Sequence, residues 1–280
     1  MSDVKSDGKE EKKYEILSGT ACAQLELFDG TVIDLHQDSV YSMELAQGER
    51  LDNKGGIVSY KQDSVNVSVE EYNEIKTPRG GEYQILLPDG TKVWLNTEST
   101  LRFPRKFSEK ERLVYAQGEL YFEVAHDTMR PFRVDLDAYT VEVTGTEFNV
   151  RTYSGGPQLT TLITGGVTIC REDEVVHLEP GEEAVLEQKG EAIRVQKAEI
   201  ESRLAWHRGY FLFDDVRLED IMTELGRWYN VETFFANQQV RDERFSLELR
   251  RHEDFRQVLD LIERAGMVEI TVEKNVIFVK

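Results

Sequence analysis

Cysteine is scarce in this chain, with only Cys22 and Cys170 among 280 residues. Neither has the Cys-x-x-Cys spacing of a zinc or dithiol redox site. Both lie in strand-like runs and read as buried free thiols, a state compatible with oxidising and reducing compartments alike. Long apolar runs are missing too. No stretch reaches the roughly 18 apolar residues that cross a bilayer. Met1 to Lys13 is uniformly polar, so it lacks the apolar centre of a signal peptide. Basic residues are in deficit, 34 against 53 acidic, which leaves a net charge of −19. That balance repels nucleic-acid backbones and anionic lipid surfaces and favours solubility, or attraction to a basic patch on a partner. Catalytic signatures are absent as well: there is no GxSxG elbow, HExxH pair, Walker loop or GxGxxG turn. His36, His126, His177, His207 and His252 show no metal-ligand spacing and read as structural or surface residues. No Asp or Glu stands in a context that marks a glycosidase-like carboxylate pair. No enzyme chemistry, cofactor or metal is expected.

What is present is a repeated pattern. Leu27-Phe28-Asp29-Gly30-Thr31-Val32-Ile33-Asp34-Leu35 is matched by Leu87-Pro88-Asp89-Gly90-Thr91-Lys92-Val93-Trp94-Leu95. Each copy reads as strand, Asp-Gly turn and strand, with Asp and Gly at the two central positions of a tight hairpin turn. Period-two alternation recurs in Gln24 to Leu27, Glu119 to Val124 and Tyr139 to Val143, as expected of strands with one buried face. Turn signals come about every ten residues: Gly55-Gly56, Gly80-Gly81, Asp89-Gly90, Gly155-Gly156, Gly165-Gly166, Pro180-Gly181 and Lys189-Gly190. Thr160 to Thr164, Gly165-Gly166 and Val167 to Ile169 read as a two-residue hairpin. The fold class is mainly β. Residues 21–196 form an all-β domain of stacked hairpins, either solenoid or sandwich-like. Residues 1–20 read as a disordered linker or an artificial boundary of the chain.

The texture changes near Gln196. Residues 197–208 read as a helical linker that ends at Gly209. Residues 209–280 read as a small α+β domain of order β-α-β-β-α-β-β. Leu218, Ile221, Met222, Leu225 and Trp228 define one helix face, with Asp214 or Asp215 as its cap. Phe255, Val258, Leu259, Ile262 and Ala265 define another, stopped by Gly266. Both helices are expected on one face of a single small sheet.

Two candidate sites follow. A Gly145-Thr146 bond between strands is a possible self-cleavage site, in which the Thr146 hydroxyl attacks the Gly145 carbonyl. That step needs strain and an unhindered carbonyl, and the alternative is a strand connection where glycine relieves crowding. The second candidate is a partner-binding strand edge around Phe234, Phe235, Val276, Ile277 and Phe278, with the last strand open to augmentation. Trp94, Tyr121, Phe122, Phe132 and Phe148 read as core, with a sugar-stacking surface, and hence a carbohydrate-binding β module, as the alternative.

Taken in order, several blocks resemble the periplasmic region of FecR-family anti-sigma regulators of the Bacteroidetes type. They are Thr77-Pro78-Arg79-Gly80-Gly81-Glu82-Tyr83, Leu87 to Asn96, Gly118 to Val124, Arg130 to Val134, Gly145 to Val150 and Leu178 to Glu182. Trp206 to Gly209, with Phe211 and Phe213, resembles the entry to the family's C-terminal module, itself similar to the secretin and TonB short N-terminal fold. The resemblance implies a sensor natively anchored in the inner membrane by a helix missing from this chain. It implies binding to the signalling domain of a TonB-dependent outer-membrane transporter. It also implies control of an extracytoplasmic-function sigma factor, through a cytoplasmic segment absent here. The Gly145-Thr146 pair falls in the block where some relatives self-cleave.

Overall fold

The computed structural model describes residues 16–44, 49–62, 71–187, 191–265 and 268–280. Residues 1–15, the Lys189-Gly190 turn and the Gly266 stop signal lie outside the described residues. The chain opens with β1 (Thr20–Glu26), β2 (Val32–His36), β3 (Tyr41–Glu44), β4 (Glu49–Lys54), β5 (Ile57–Gln62) and β6 (Tyr72–Lys76). It continues through β7 (Gly81–Leu86), β8 (Lys92–Leu95), β9 (Thr100–Pro104), β10 (Arg112–Gln117), β11 (Glu119–Glu123), β12 (Phe132–Asp135) and β13 (Thr140–Val143). The β-rich part closes with β14 (Glu147–Arg151), β15 (Gln158–Thr164), β16 (Val167–Arg171), β17 (Glu174–Leu178), β18 (Glu182–Leu186) and β19 (Arg194–Lys197).

These strands form two facing sheets. One runs β2-β1-β6-β9-β10-β12-β13-β16-β17. The other runs β3-β4-β5-β7-β8-β11-β14-β15-β18-β19. A short parallel pairing of Thr20 with Gly81 and Ala21 with Glu82 stitches them together. Alternate residues of both sheets meet in one core that contains Leu25, Ile75, Phe103, Phe122, Phe132, Val141 and Phe148. Phe122 stacks on its cross-strand neighbour Phe148 at 4.9 Å and meets Phe132 of the opposite sheet at 6.2 Å. Each such side chain contributes about 1.5–3 kcal/mol on leaving water. Of the expected alternatives, the arrangement is a two-sheet sandwich whose strands pass back and forth between layers.

The repeat does form two hairpins, β1–β2 and β7–β8. The turn differs from expectation. Leu27 N–H donates to Thr31 O and Gly30 N–H to Leu27 O, and the second copy repeats both bonds at Leu87, Thr91 and Gly90. Three residues therefore make each loop, and only glycine needs the left-handed region, at φ 82° and 88°. The aspartate braces the loop instead, since its Oδ1 accepts the amide of Thr31 at 2.9 Å and of Thr91 at 3.0 Å.

The expected hairpin across Gly165-Gly166 is also corrected. β15 pairs with β14 and β18, whereas β16 pairs with β13 and β17. The two glycines carry the chain from one layer to the other. Gly118 does the same between β10 and β11, and Thr144-Gly145-Thr146 between β13 and β14. These corners stack tightly. A Cβ on Gly165 would lie 2.8 Å from Thr146 Oγ1, and one on Gly118 would lie 2.5 Å from Ser99 Oγ. A glycine pair at a layer crossing looks the same in sequence as one in a hairpin, because both need φ > 0 and neither records its sheet.

A linker follows, formed by α1 (Ile200–Leu204) and a 3₁₀ turn at Trp206–Arg208, capped by Gly209 at φ 83°. The C-terminal unit contains β20 (Tyr210–Arg217), α2 (Leu218–Tyr229), β21 (Glu232–Phe235), α3 (Gln238–Asp242), β22 (Arg244–Arg250), α4 (Phe255–Ala265), β23 (Ile270–Glu273) and β24 (Val276–Val279). The expected order is present with α3 added. The strands, however, divide into two sheets, β20–β22 and β21-β24-β23. Asp214 and Asp215 lie within β20; the N-cap is Arg217, with Glu219 and Asp220 facing the helix dipole in the first turn. Both helices and both sheets share a second core around Leu218, Leu225, Trp228, Phe255, Ile262 and Ile277.

The end of the expected lead-in linker, residues 1–20, is engaged with the fold. Ile16 packs on the C-terminal core and Gly19 lies against the Trp228 ring. Gly19 permits this because it has no side chain to intervene.

The corner glycines give a direct test. Gly118→Ala combines a φ of +94° with a Cβ 2.7 Å from a backbone oxygen, and is expected to cost about 2–4 kcal/mol. Gly30→Ala has φ +82° but open space, and is expected to cost only about 1–2 kcal/mol. Urea denaturation of both variants checks the order, and equal costs would contradict the stacked-corner account.

Candidate functional site

The C-terminal three-stranded sheet is built on β24, which pairs in parallel with β21 and antiparallel with β23. The sequence expectation of an open edge at Val276, Ile277 and Phe278 is therefore corrected. These residues occupy the middle strand, and Lys280 beyond them exchanges both backbone bonds with Glu269. A four-residue apolar run does not show which of its sides is paired. The connection from β21 through α3, β22, α4 and β23 brings β24 back between β21 and β23, which leaves β21 at an edge.

Phe234 and Phe235 lie on that edge. Glu232 N–H donates to Asn275 O and Ala236 N–H to Val279 O. This parallel ladder turns the backbone groups of Thr233 and Phe235 towards the open side. Cross-strand register puts Phe234 beside Phe278 on the outer face, with their rings stacked at 5.9 Å and 23°. Phe234 is 54% exposed. Phe235 packs against the core and lies 5.7 Å beneath the Arg241 guanidinium. A groove of about 510 Å³ borders the edge. One wall is α2, through Met222 and Thr223, and the other is the β sandwich, through Arg79, Glu98 and Ser154. Thr233 also lines it, and its buried hydroxyl has no hydrogen-bond partner.

The groove exists because the two units are docked. Helix α2 ends against the sandwich, where its last carbonyls find donors. Gly80 N–H donates to Arg227 O at 2.8 Å, Thr97 Oγ1 donates to the same oxygen at 3.2 Å, and Arg79 donates to Gly226 O and Val231 O at 2.5 and 2.9 Å. Arg251 is fully buried. It donates to Asn96 Oδ1 at 2.8 Å, approaches Glu82 at 3.4 Å and stacks 3.8 Å over Trp228. Burial pulls its pKa down, against the pull of Glu82 and Glu119. Glu224 pairs with Arg151 across the junction. Burial pushes the Glu224 carboxyl up, but the Arg151 guanidinium more than reverses this and holds it below the usual carboxylate range.

The linker docks on the outer face of the second sheet. Trp206 Nε1 donates to Asn149 Oδ1 at 3.2 Å, and Arg203 makes two bonds to Glu183 at 2.8 and 2.9 Å. His207 stacks on Tyr121 at 4.3 Å and meets Trp94 edge-on at 4.8 Å. Burial lowers the His207 pKa. Of the aromatics expected in the core, Phe122, Phe132 and Phe148 are in it, whereas Tyr121 and Trp94 lie under the linker.

Gly145 and Thr146 form a layer-crossing corner. A Cβ on Gly145 would lie 2.4 Å from His126 Nδ1, so crowding accounts for the glycine. Thr146 is buried, and its hydroxyl donates to Gly166 O at 3.0 Å. A separate open cleft of about 780 Å³ lies between the first sheet and the ends of β14, β15 and β18 of the second. Arg102 in it packs over the rings of Tyr72 and Tyr115, at 4.5 and 5.4 Å, which meet each other edge-on at 5.8 Å. Gln158 Oε1, also in the cleft wall, is buried without a hydrogen-bond partner. Among the described residues, no cluster of three or more His, Cys, Asp or Glu side chains could hold a metal ion. Among them, too, no helix is long and apolar enough to cross a membrane.

Sequence reasoning missed Arg79, Asn96, Thr97, Glu224 and Arg251, which hold the units together. Nothing local marks a buried junction arginine, since its partners lie up to 155 residues away.

Two family models match the chain. One, described as FecR protein, covers residues 73–168, and the other, described as FecR, C-terminal, covers residues 210–279. Two crystal structures of a proposed anti-sigma factor from Parabacteroides distasonis, at 2.50 and 1.65 Å resolution, are similar to this chain, each with a TM-score of 0.67. Sequence identity is 28%, over 74% of this chain and 98% of that chain. A comparison with curated proteins found no match.

The junction has a pH signature. A carboxyl whose folded pKa is depressed contributes stability above its unfolded pKa and loses it as pH falls through the folded value. Glu224→Gln is therefore expected to destabilise the protein by about 2 kcal/mol near neutral pH. The gap to the parent should narrow as pH falls below the ordinary carboxylate range. Thermal melts across that range check this, and a gap independent of pH would contradict it.

Proposed function

The chain belongs to the FecR family, and from that premise we propose that it is the periplasmic sensor region of a membrane-anchored anti-sigma regulator. In this reading it binds the signalling domain of a TonB-dependent outer-membrane transporter and thereby controls an extracytoplasmic-function sigma factor. The solved relative described as a proposed anti-sigma factor supports the regulatory half. The carrying observation for the binding half is the open β21 edge with Phe234 turned outward beside Phe278.

The mechanism is strand addition. A partner strand pairs with the outward backbone groups of Thr233 and Phe235, each bond contributing about 1 kcal/mol net. Phe234 and Phe278 supply an apolar contact on the outer face, and the groove between the units receives side chains of the added strand. Binding alone performs this role, so the protein acts without catalysis, and the Gly145-Thr146 corner serves as packing. The net charge of −19 favours a partner with a basic contact face.

The cleft around Arg102 favours a second reading, a carbohydrate-binding module. Its mix of tyrosine rings, carboxylates and an unpartnered amide oxygen suits a polyhydroxylated ligand. Calorimetry against a glycan panel separates the two: saturable heat with one sugar class favours the second.

Pull-down and calorimetry with the signalling domain of a transporter encoded beside this gene test the first reading. Phe234→Glu is expected to weaken binding by about tenfold or more, and Thr233→Pro to abolish it by removing a ladder donor. No interaction with any neighbouring transporter would count against the role, and unchanged affinity in both variants would move the contact elsewhere. Purified protein is expected as one species at full mass, unaltered by Thr146→Ala; two fragments split at residue 145 would instead establish self-cleavage.

A further inference from the structure

The segment before β1 lies between the two units. Ile16 packs on the C-terminal core, while a few residues later Thr20 N–H donates to Gly80 O of the sandwich at 2.8 Å. Gly80 N–H in turn donates to Arg227 O of α2. Gly19 lies so close to Trp228 that a Cβ would sit 2.5 Å from the ring. One short stretch of chain thus touches both bodies at the point where they meet.

The junction itself is mostly polar. The sandwich core and the C-terminal core remain separate clusters, and hydrogen bonds and ion pairs span the gap between them. Arg251 is buried there with an unpartnered Nε, and Glu224 pairs with Arg151. Charges held this way recover their hydration when the surfaces part, so separation costs less than opening an apolar interface of the same size. The segment cannot follow both units. Its Thr20 end is fixed in β1, a strand paired on both sides within the sandwich. Its Ile16 end packs on the C-terminal unit.

We propose that residues 16–19 form a strap closed by docking of the C-terminal unit, and that separation of the units releases the strap. The C-terminal unit then works as a latch on the chain leading into the sandwich. This inference stands on the junction geometry and does not require the transporter reading. A ligand that binds the C-terminal unit and loosens the junction would uncover the lead-in, and one that tightens the junction would protect it. Trp228 is the pivot, since its ring lies against both the strap and Arg251.

Limited proteolysis of the full chain tests this. Thermolysin cleaves before Ile16 or Leu17, and Leu17 is an exposed side chain in a segment pinned at both ends. Intact-mass analysis reads the rate at these bonds separately from cuts within residues 20–280. Two variants loosen the latch by different routes. Glu224→Ala removes the ion pair with Arg151, which involves no strap residue, and Gly19→Val wedges the strap away from Trp228. Both are expected to raise cleavage at the lead-in about tenfold or more while the remainder stays resistant. Unchanged cleavage in both variants overturns the proposal. A rise that appears equally at sites within the two cores overturns it as well, because that pattern is global unfolding.

Discussion

The end of helix α2 is the constraint on which the arrangement of the molecule depends. A helix leaves its last carbonyls without intrahelical donors, and burying them unpaired is costly. Here Asn230, at φ 52°, closes one of them from within the unit through its amide bond to Gly226 O. The sandwich adds donors of its own, Arg79 to the same Gly226 O and the Gly80 amide and Thr97 hydroxyl to Arg227 O. A C-cap divided between two units fixes their relative orientation, because these donors satisfy the carbonyls in only one pose. The groove beside β21 and the seat of the lead-in segment are consequences of that pose.

The sandwich meets this demand through its corners. Strands that cross between layers need a residue without a Cβ wherever one corner stacks on the next, and Gly118, Gly145 and Gly165 occupy those places. The turns at 77–80 and 96–99 lie on the same side of the molecule and present Arg79, Gly80, Asn96 and Thr97 to the C-terminal unit. The Thr77-Pro78-Arg79-Gly80-Gly81 block therefore does more than turn the chain. Its arginine and glycine are donors to a helix about 150 residues away.

Much of this was legible from local pattern. Period two gave the strands, and the apolar spacing of Leu218 to Trp228 and Phe255 to Ala265 gave two helices whose buried faces are the expected ones except at Ala265, which is exposed. The paired Asp-Gly motif gave two hairpins, though not their loop length, because a three-residue loop and a two-residue turn both favour glycine late in the turn. Pairings decided over long distances were not legible. Gly165-Gly166 reads as a hairpin until the sheet assignment of its flanking strands is known. Val276 to Val279 reads as an edge until β21 pairs with it. Arg251 has the look of any surface arginine, and only its distant partners make it a buried one. Ile16 stands in a polar lead-in, with no neighbour in sequence to show where it packs.

The placement of β1 has a consequence for how the protein is made. Synthesis begins at the N-terminus, yet β1 has partners in β6 and β7, some fifty residues downstream. The residue before it, Gly19, meets Trp228 more than two hundred residues later. The earliest described residues must therefore wait for almost the whole polypeptide before they settle. Long-range closures of this kind slow folding. A nascent chain would carry residues 16–19 unsheltered until α2 has emerged, so this stretch, made before the sandwich, is among the last to become native.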